Sequence, residues 1–239
     1  MPSIFPKQIV NGCAKIVRGV FSRACVLCGA HAQDGLLCAP CRADLPRHGA
    51  EACPVCAFPT AGSARCGHCL RHPPAFGRTL AVYRYEFPVA ALIHAYKYGG
   101  NLALLDILAE PLAALAITQR LPDLIIPMPL HPRRLKERGF NQAREIAAVV
   151  ARRIQVPLAA QACRRVRDTP PQAALKLKER AANLRGAFEC DADLRGKRVA
   201  LVDDVMTSGA SLDALAQAVR RRGAEEVDAW VVARTLPHG

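Results

Sequence analysis

Residues 199–212 read VALVDDVMTSGASL. Four apolar residues, Val199 to Val202, run directly into Asp203 and Asp204, and a loop of Thr207, Ser208, Gly209, Ala210 and Ser211 follows. A short apolar run bounded in this way reads as a buried strand. Leu212–Arg222 carries apolar residues at helical spacing and stops before Gly223, so a helix is expected next. A strand, a loop and a helix in this order belong to a parallel sheet, where ligands sit beyond the carboxyl ends of the strands. Asp203 and Asp204 stand at such an end.

The loop narrows the ligand. Backbone N–H groups at a helix start attract an anion, Gly209 allows close approach of the main chain, and three hydroxyls add donors. Ser211 suits the N-cap position. Two carboxylates repel a phosphate, so Asp203 and Asp204 must hold a neutral polyol beside it. A ribose 2′,3′-diol offers one hydroxyl to each carboxylate. The stretch therefore points to a ribose 5-phosphate. Neither G-x-x-x-x-G-K-[ST] nor a G-x-G-x-x-G behind a strand is present, which disfavours the common nucleotide loops.

Outward from this unit, the chain alternates. Leu80–Tyr85, Leu124–Met128, Arg198–Asp203 and Val227–Ala233 read as strands, and Val89–Tyr98, Leu102–Ile117 and Asn141–Arg153 as helices. Strands alternating with helices of this length predict an α/β domain, a parallel sheet flanked by helices, over residues 73–239.

Residues 1–72 differ. Eight of the 11 cysteines form four C-x-x-C pairs: Cys25/Cys28, Cys38/Cys41, Cys53/Cys56 and Cys66/Cys69. C-x2-C-x9-C-x2-C thus occurs twice in succession. Two thiolates on one knuckle grip half of a Zn²⁺ tetrahedron, and a second knuckle closes it. Two structural zinc ions are expected, either sequentially (25/28/38/41 and 53/56/66/69) or interleaved (25/28/53/56 and 38/41/66/69). With all positions thiolate, such sites are closed to catalysis. Cys13, Cys163 and Cys190 fall outside the pattern and read as reduced thiols. Ahead of the module, Ile9, Val10, Cys13, Ile16, Val17, Val20 and Phe21 predict an amphipathic helix, expected to dock on the protein itself, with binding to a membrane surface as the alternative.

The formal net charge is +13, and Arg supplies 26 of the 33 basic residues. Two zinc ions with eight thiolates lower the balance to about +9. Between His131 and Arg198 there are 17 basic residues against 7 acidic ones, a concentration that suits a polyanion. Aromatic residues are scarce, with Tyr83, Tyr85, Tyr96, Tyr98 and Phe140 the clustered ones, and single strands usually stack on aromatics. No apolar run nears the ~20 residues of a membrane span, and no secretory leader pattern is seen, so a cytoplasmic location is expected.

The opening stretch resembles the phosphoribosyl-diphosphate (PRPP) motif of the type I phosphoribosyltransferases. The resemblance implies that Asp203 and Asp204 contact ribose hydroxyls and that Thr207, Ser208, Gly209, Ala210 and Ser211 hold the 5′-phosphate. It also implies a parallel sheet of about five strands with a variable hood. Pro127–Ala143, PMPLHPRRLKERGFNQA, looks like the pyrophosphate region of such enzymes, with Arg133, Arg134, Lys136 and Arg138 supplying charge, Gly139 flexibility and Asn141 a helix cap. Arg165–Phe188 resembles a hood loop. These segments behind paired C-x-x-C knuckles, with Tyr96-Lys97-Tyr98-Gly99-Gly100 fitting a K-[YF]-G-G element, resemble the ComF family of competence and GntX-type proteins over residues 23–235. Lys97 and Arg138 then join the PRPP ligands, and Asp203, Asp204, Arg133 and Arg134 are the catalytic candidates. The resemblance implies Mg²⁺ with PRPP and a role with single-stranded DNA and competence DNA-processing proteins, in natural transformation or DNA utilisation. Two alternatives stay open: an active phosphoribosyltransferase of nucleobase or nucleotide salvage, and a non-catalytic PRPP-sensing module.

Overall fold

The central strand of the sheet is the stretch that opens the sequence reading. A computed structural model of the chain describes residues 23–32, 35–99, 101–168, 184 and 186–236. The expected amphipathic helix before residue 23, with Cys13, lies outside these residues, as do Gly100 and most of the 165–188 hood segment. Contacts divide the chain into two compact units, Met1–Leu45 and Pro46–Gly239.

In the first unit, β1 (Arg23–Ala24) and β2 (His31–Ala32) form a short antiparallel hairpin. A five-residue helix, α1 (Ala39–Ala43), begins after Cys38 with Pro40 in its first turn, a position where proline's missing N–H costs nothing.

The second unit starts with α2 (Gly67–Arg71) and continues through β3 (Arg78–Arg84), α3 (Val89–Tyr98), α4 (Leu105–Ala116) and β4 (Leu124–Pro127). Next come α5 (Pro132–Arg138), α6 (Gln142–Ile154), β5 (Cys163–Arg165) and β6 (Phe188–Cys190). It ends with β7 (Arg198–Met206), α7 (Ala210–Arg221) and β8 (Glu226–Arg234). β3, β8, β7 and β4 lie in that order and are parallel throughout. Ile125 donates to the carbonyl of Pro157 and accepts from Ala159, so residues 157–159 extend the sheet beyond β4. Four full strands and this bridge make up the parallel sheet that the sequence predicts.

The two central strands are apolar because both faces are covered. Val199, Ala200, Leu201 and Val202 are 1% exposed or less, as are Ala229, Trp230, Val231, Val232 and Ala233. Burying each of the larger side chains stabilises the fold by about 1.5–3 kcal/mol.

Several boundaries differ from expectation. β7 does not stop at Asp203; its pairing with β8 continues through Val205–Ala233 and Met206–Arg234. α7 starts at Ala210 with Gly209 as its N-cap, so Ser211 lies in the first turn instead of capping it. Gly209 takes that position because its φ of 82° is left-handed, and Ser208 Oγ accepts from the Ala210 N–H at 3.4 Å. The basic run 132–138 is a helix, not an open loop. Pro132 occupies its first turn, His131 Nδ1 accepts from the Arg133 N–H, and Gly139 ends it at φ 79°. The antiparallel pair β5–β6 is too short to show as a periodic signal in the sequence.

Candidate functional site

Alternation along β7 sends successive side chains to opposite faces, and the two aspartates meet different surroundings. Asp204 is 6% exposed, and its Oδ2 lies 2.8 Å from Lys97 Nζ at the C-terminal end of α3. Burial alone would lower the Lys97 pKa, but the charge and hydrogen bond of Asp204 raise it, so the ammonium form is held. Asp203 Oδ1 accepts from the Asp204 N–H at 2.9 Å. Burial, then the neighbouring carboxylate, pushes the Asp203 carboxyl up to about 8, against the pull of Lys97. An acid with a raised pKa beside a second, buried carboxylate at a strand end suits a site built for a ligand rather than for bulk water.

Beyond β7, Thr207 is exposed and Ser208 to Ser211 are half-buried. A Cβ on Gly209 would sit 3.7 Å from Met206 Cε and Phe76 Cζ, in ordinary contact. The left-handed φ, not lack of space, requires glycine here.

The basic candidates separate into two groups. Arg138 donates to Tyr98 Oη at 3.1 Å and Gln142 Oε1 at 3.2 Å, and its guanidinium lies 4.9 Å from the Tyr98 ring centre. It therefore stands beside the helix end that carries Lys97. Arg133 is exposed and engages Glu137 at 3.2 Å and Asp168 at 3.4 Å. Arg134 is felt by Arg165, whose guanidinium also senses Asp168 and Asp203; burial, then Arg134, lowers the Arg165 pKa. Asn141 holds this region to the sheet. Its Oδ1 caps α6 through the Ala143 and Arg144 N–H groups, and its Nδ2 donates to the Met128 carbonyl at 3.1 Å.

Two thiolate clusters are formed, Cys25/Cys28/Cys38/Cys41 and Cys53/Cys56/Cys66/Cys69, with all sulfurs of a set within 4.8 Å of one another. The sequential pairing is the one realised. A tetrahedral site with Zn–S of about 2.3 Å requires sulfurs about 3.8 Å apart, and Cys28–Cys38 and Cys56–Cys66 stand at 3.7 and 3.6 Å. Backbone N–H groups, Cys38 first, hold the Cys25 thiol down to about 6. Burial raises Cys53, but N–H groups of Cys66, Cys56 and Val55 bring it down to about 7. Both sets suit a structural Zn²⁺. Cys163 and Cys190 oppose each other across β5–β6, buried and outside either cluster.

Comparison with known proteins agrees with both halves. Residues 16–70 match the double zinc ribbon domain, and residues 141–236 match the phosphoribosyl transferase domain. The DNA utilization protein YhgH of Escherichia coli K12 is 34% identical over 191 residues, covering 77% of this chain and 84% of its own. Competence protein F of Haemophilus influenzae is 34% identical over 178 residues, 71% and 78% of the two chains. The chain belongs to the ComF family. The ComF protein ComFC of Bacillus subtilis is 26% identical over 218 residues, 84% of this chain and 85% of its own. Among solved structures, purine phosphoribosyltransferase from Pyrococcus horikoshii aligns at TM-score 0.33 and 20% identity, over 54% of this chain and 82% of that one.

In this ComF-family chain the tertiary structure adds two arginines to the neighbourhood of the site, Arg165 and Arg234. Arg165 lies within a segment whose basic character is visible in the sequence, although its relation to Asp203 is not. Arg234, at the end of β8, leaves no local signal at all.

Proposed function

We propose that this ComF-family protein binds PRPP, or a related ribose 5-phosphate, with Mg²⁺ at the carboxyl end of β7. The reading is carried by Asp203 and Asp204 standing near the end of β7, with Val205 and Met206 between them and the Thr207–Ser211 loop that opens α7. In it, the aspartates accept from ribose hydroxyls, and the loop's N–H and hydroxyl donors take the 5′-phosphate. Lys97 orients Asp204, while Arg138, Arg134 and Arg133 face the pyrophosphate side. Mg²⁺ neutralises pyrophosphate charge when bound. If turnover occurs, these residues stabilise charge leaving with pyrophosphate, without a covalent intermediate on the enzyme.

The biological reading is action on or with single-stranded DNA in the cytoplasm, in DNA uptake or utilisation, alongside competence DNA-processing proteins. It is supported by the relatives' names, which are competence and DNA utilization proteins, and by the basic residues of 131–198. Among the described residues no helix is long and apolar enough to cross a membrane.

Calorimetric titration with Mg²⁺-PRPP tests the site. Binding is expected, and its loss is expected in the Asp203→Asn, Asp204→Asn double variant with zinc content unchanged. Unchanged affinity in that variant, folded, refutes the assignment. Pyrophosphate release with bases, nucleosides and single-stranded DNA as acceptors then separates a transferase from a binding module. For DNA, log affinity should fall steeply with log salt; a flat response refutes backbone tracking.

A further inference from the structure

Arg234 joins the second thiolate cluster to the loop behind the paired aspartates. Its side chain lies at the end of β8 and the residue is 6% exposed. Nε donates to the carbonyl of Cys56 at 2.8 Å, while Nη1 donates to the carbonyls of Met206 at 3.2 Å, Thr235 at 2.5 Å and Thr207. One planar guanidinium therefore spans a zinc knuckle and the backbone of Met206–Thr207. Among the described residues no carboxylate forms an ion pair with it. A buried cation needs an opposing charge, and Zn²⁺ held by four thiolates carries a net charge of about −2.

The knuckle itself is fixed to the sheet. Thr79 donates through Oγ1 to the Val55 carbonyl at 2.6 Å and through its N–H to the Pro54 carbonyl at 3.1 Å. Cys53, Val55 and Cys69 are buried in the same apolar cluster as Met206, Leu212 and Phe76. Movement of the knuckle on loss of metal would thus be transmitted to Met206–Thr207 through Arg234.

We propose that Arg234 is a positioning residue through which zinc at Cys53, Cys56, Cys66 and Cys69 shapes the Met206–Thr207 backbone and so sets the affinity of the adjoining loop for a phosphate ligand. This rests on the ribose-phosphate reading above. Coupling between two binding sites is reciprocal. If zinc shapes the loop, a phosphate ligand on the loop retains zinc at this cluster and leaves the Cys25–Cys41 cluster unaffected. Lysine at 234 keeps the charge but lacks the fork that reaches both sides at once.

The test uses the full chain and follows zinc transfer to a chelating indicator, with and without Mg²⁺-PRPP at saturation. A Cys38→Ser variant, which disables the first cluster, identifies the signal of the second. The expected result is that, at equilibrium with the indicator, Mg²⁺-PRPP raises the zinc affinity of the second cluster alone, by roughly 5-fold or more. Arg234→Lys should still bind two zinc ions, bind Mg²⁺-PRPP at least about 5-fold more weakly, and show no ligand effect on zinc affinity. Mg²⁺-PRPP binding without any change in zinc affinity at equilibrium overturns the proposal, even if the Arg234 variant does not fold. Unchanged affinity in a folded Arg234→Lys chain overturns it as well. Failure of the wild-type chain to bind Mg²⁺-PRPP removes the ribose-phosphate reading too, and calorimetry reveals that before any zinc is withdrawn.

Discussion

Lys97 Nζ and Asp204 Oδ2 lie 2.8 Å apart, joining the C-terminal end of α3 to the buried aspartate of β7. Neither side chain is freely solvated, at 19% and 9% exposure. The pair therefore holds the tip of the central strand and fixes the direction of one carboxylate. Removing one partner of such a pair leaves the other charge uncompensated, which is the costly way to disturb it.

Lys97→Met should accordingly destabilise the protein by about 3 kcal/mol, read from urea unfolding. Adding Asp204→Asn to it should recover part of that loss, because the orphaned charge is gone. Equal stability of Lys97→Met and wild type would show that the pair is solvent-screened and structurally idle.

Asp203 carries its own pH signature. Its carboxyl is pushed up to about 8 in the folded chain, whereas an unfolded Asp titrates near 3.9. Between these values the native state holds a proton that the unfolded chain has lost, so this group's contribution to stability declines as pH rises from about 4 to about 8. Asp203→Asn should match wild type near pH 4 and exceed it by a margin that widens to about pH 8. Unfolding at several pH values measures that margin, and one independent of pH contradicts the assignment.

The zinc clusters should fail independently. Metal analysis is expected to give two zinc per chain. Cys38→Ser should lower this to one while the unfolding transition of 46–239 stays in place. Cys66→Ser should also leave one zinc but lower Tm by roughly 10 °C or more, since several kcal/mol at about 2–4 °C each are lost. The difference arises because Cys53 and Cys69 belong to the apolar core around α7. Equal Tm losses would show that both clusters stabilise the same unit.

Asn141→Ala should cost about 1–2 kcal/mol, the range for a lost N-cap. It also releases the tie to the Met128 carbonyl, so the basic helix α5 should become easier to cleave by limited proteolysis. A variant with wild-type stability and cleavage pattern would exclude Asn141 as the anchor of this segment.

Sequence alone determined the elements whose signals are local. The apolar run 199–202, the alternation of strands and helices, the repeated C-x2-C-x9-C-x2-C and the aspartates before a small hydroxyl loop each need only neighbours a few positions apart. Val89–Tyr98 is a helix over its expected bounds, and β3, β4 and β8 lie where their apolar runs place them, within a residue or two. Tertiary structure decided what depends on chain segments remote in sequence. β7 runs past Asp203 because β8 offers Ala233 and Arg234 as partners. The cysteines pair sequentially because folding brings the four sulfurs of each successive C-x2-C-x9-C-x2-C unit within 4.8 Å of one another. Lys97 reaches Asp204, and Arg234 reaches both Cys56 and Thr207, because packing sets the distances between side chains on different elements. Residue spacing encodes only the periodicity within one element, so the ligand-facing residues of β7 are legible and the side chains that aim them are not.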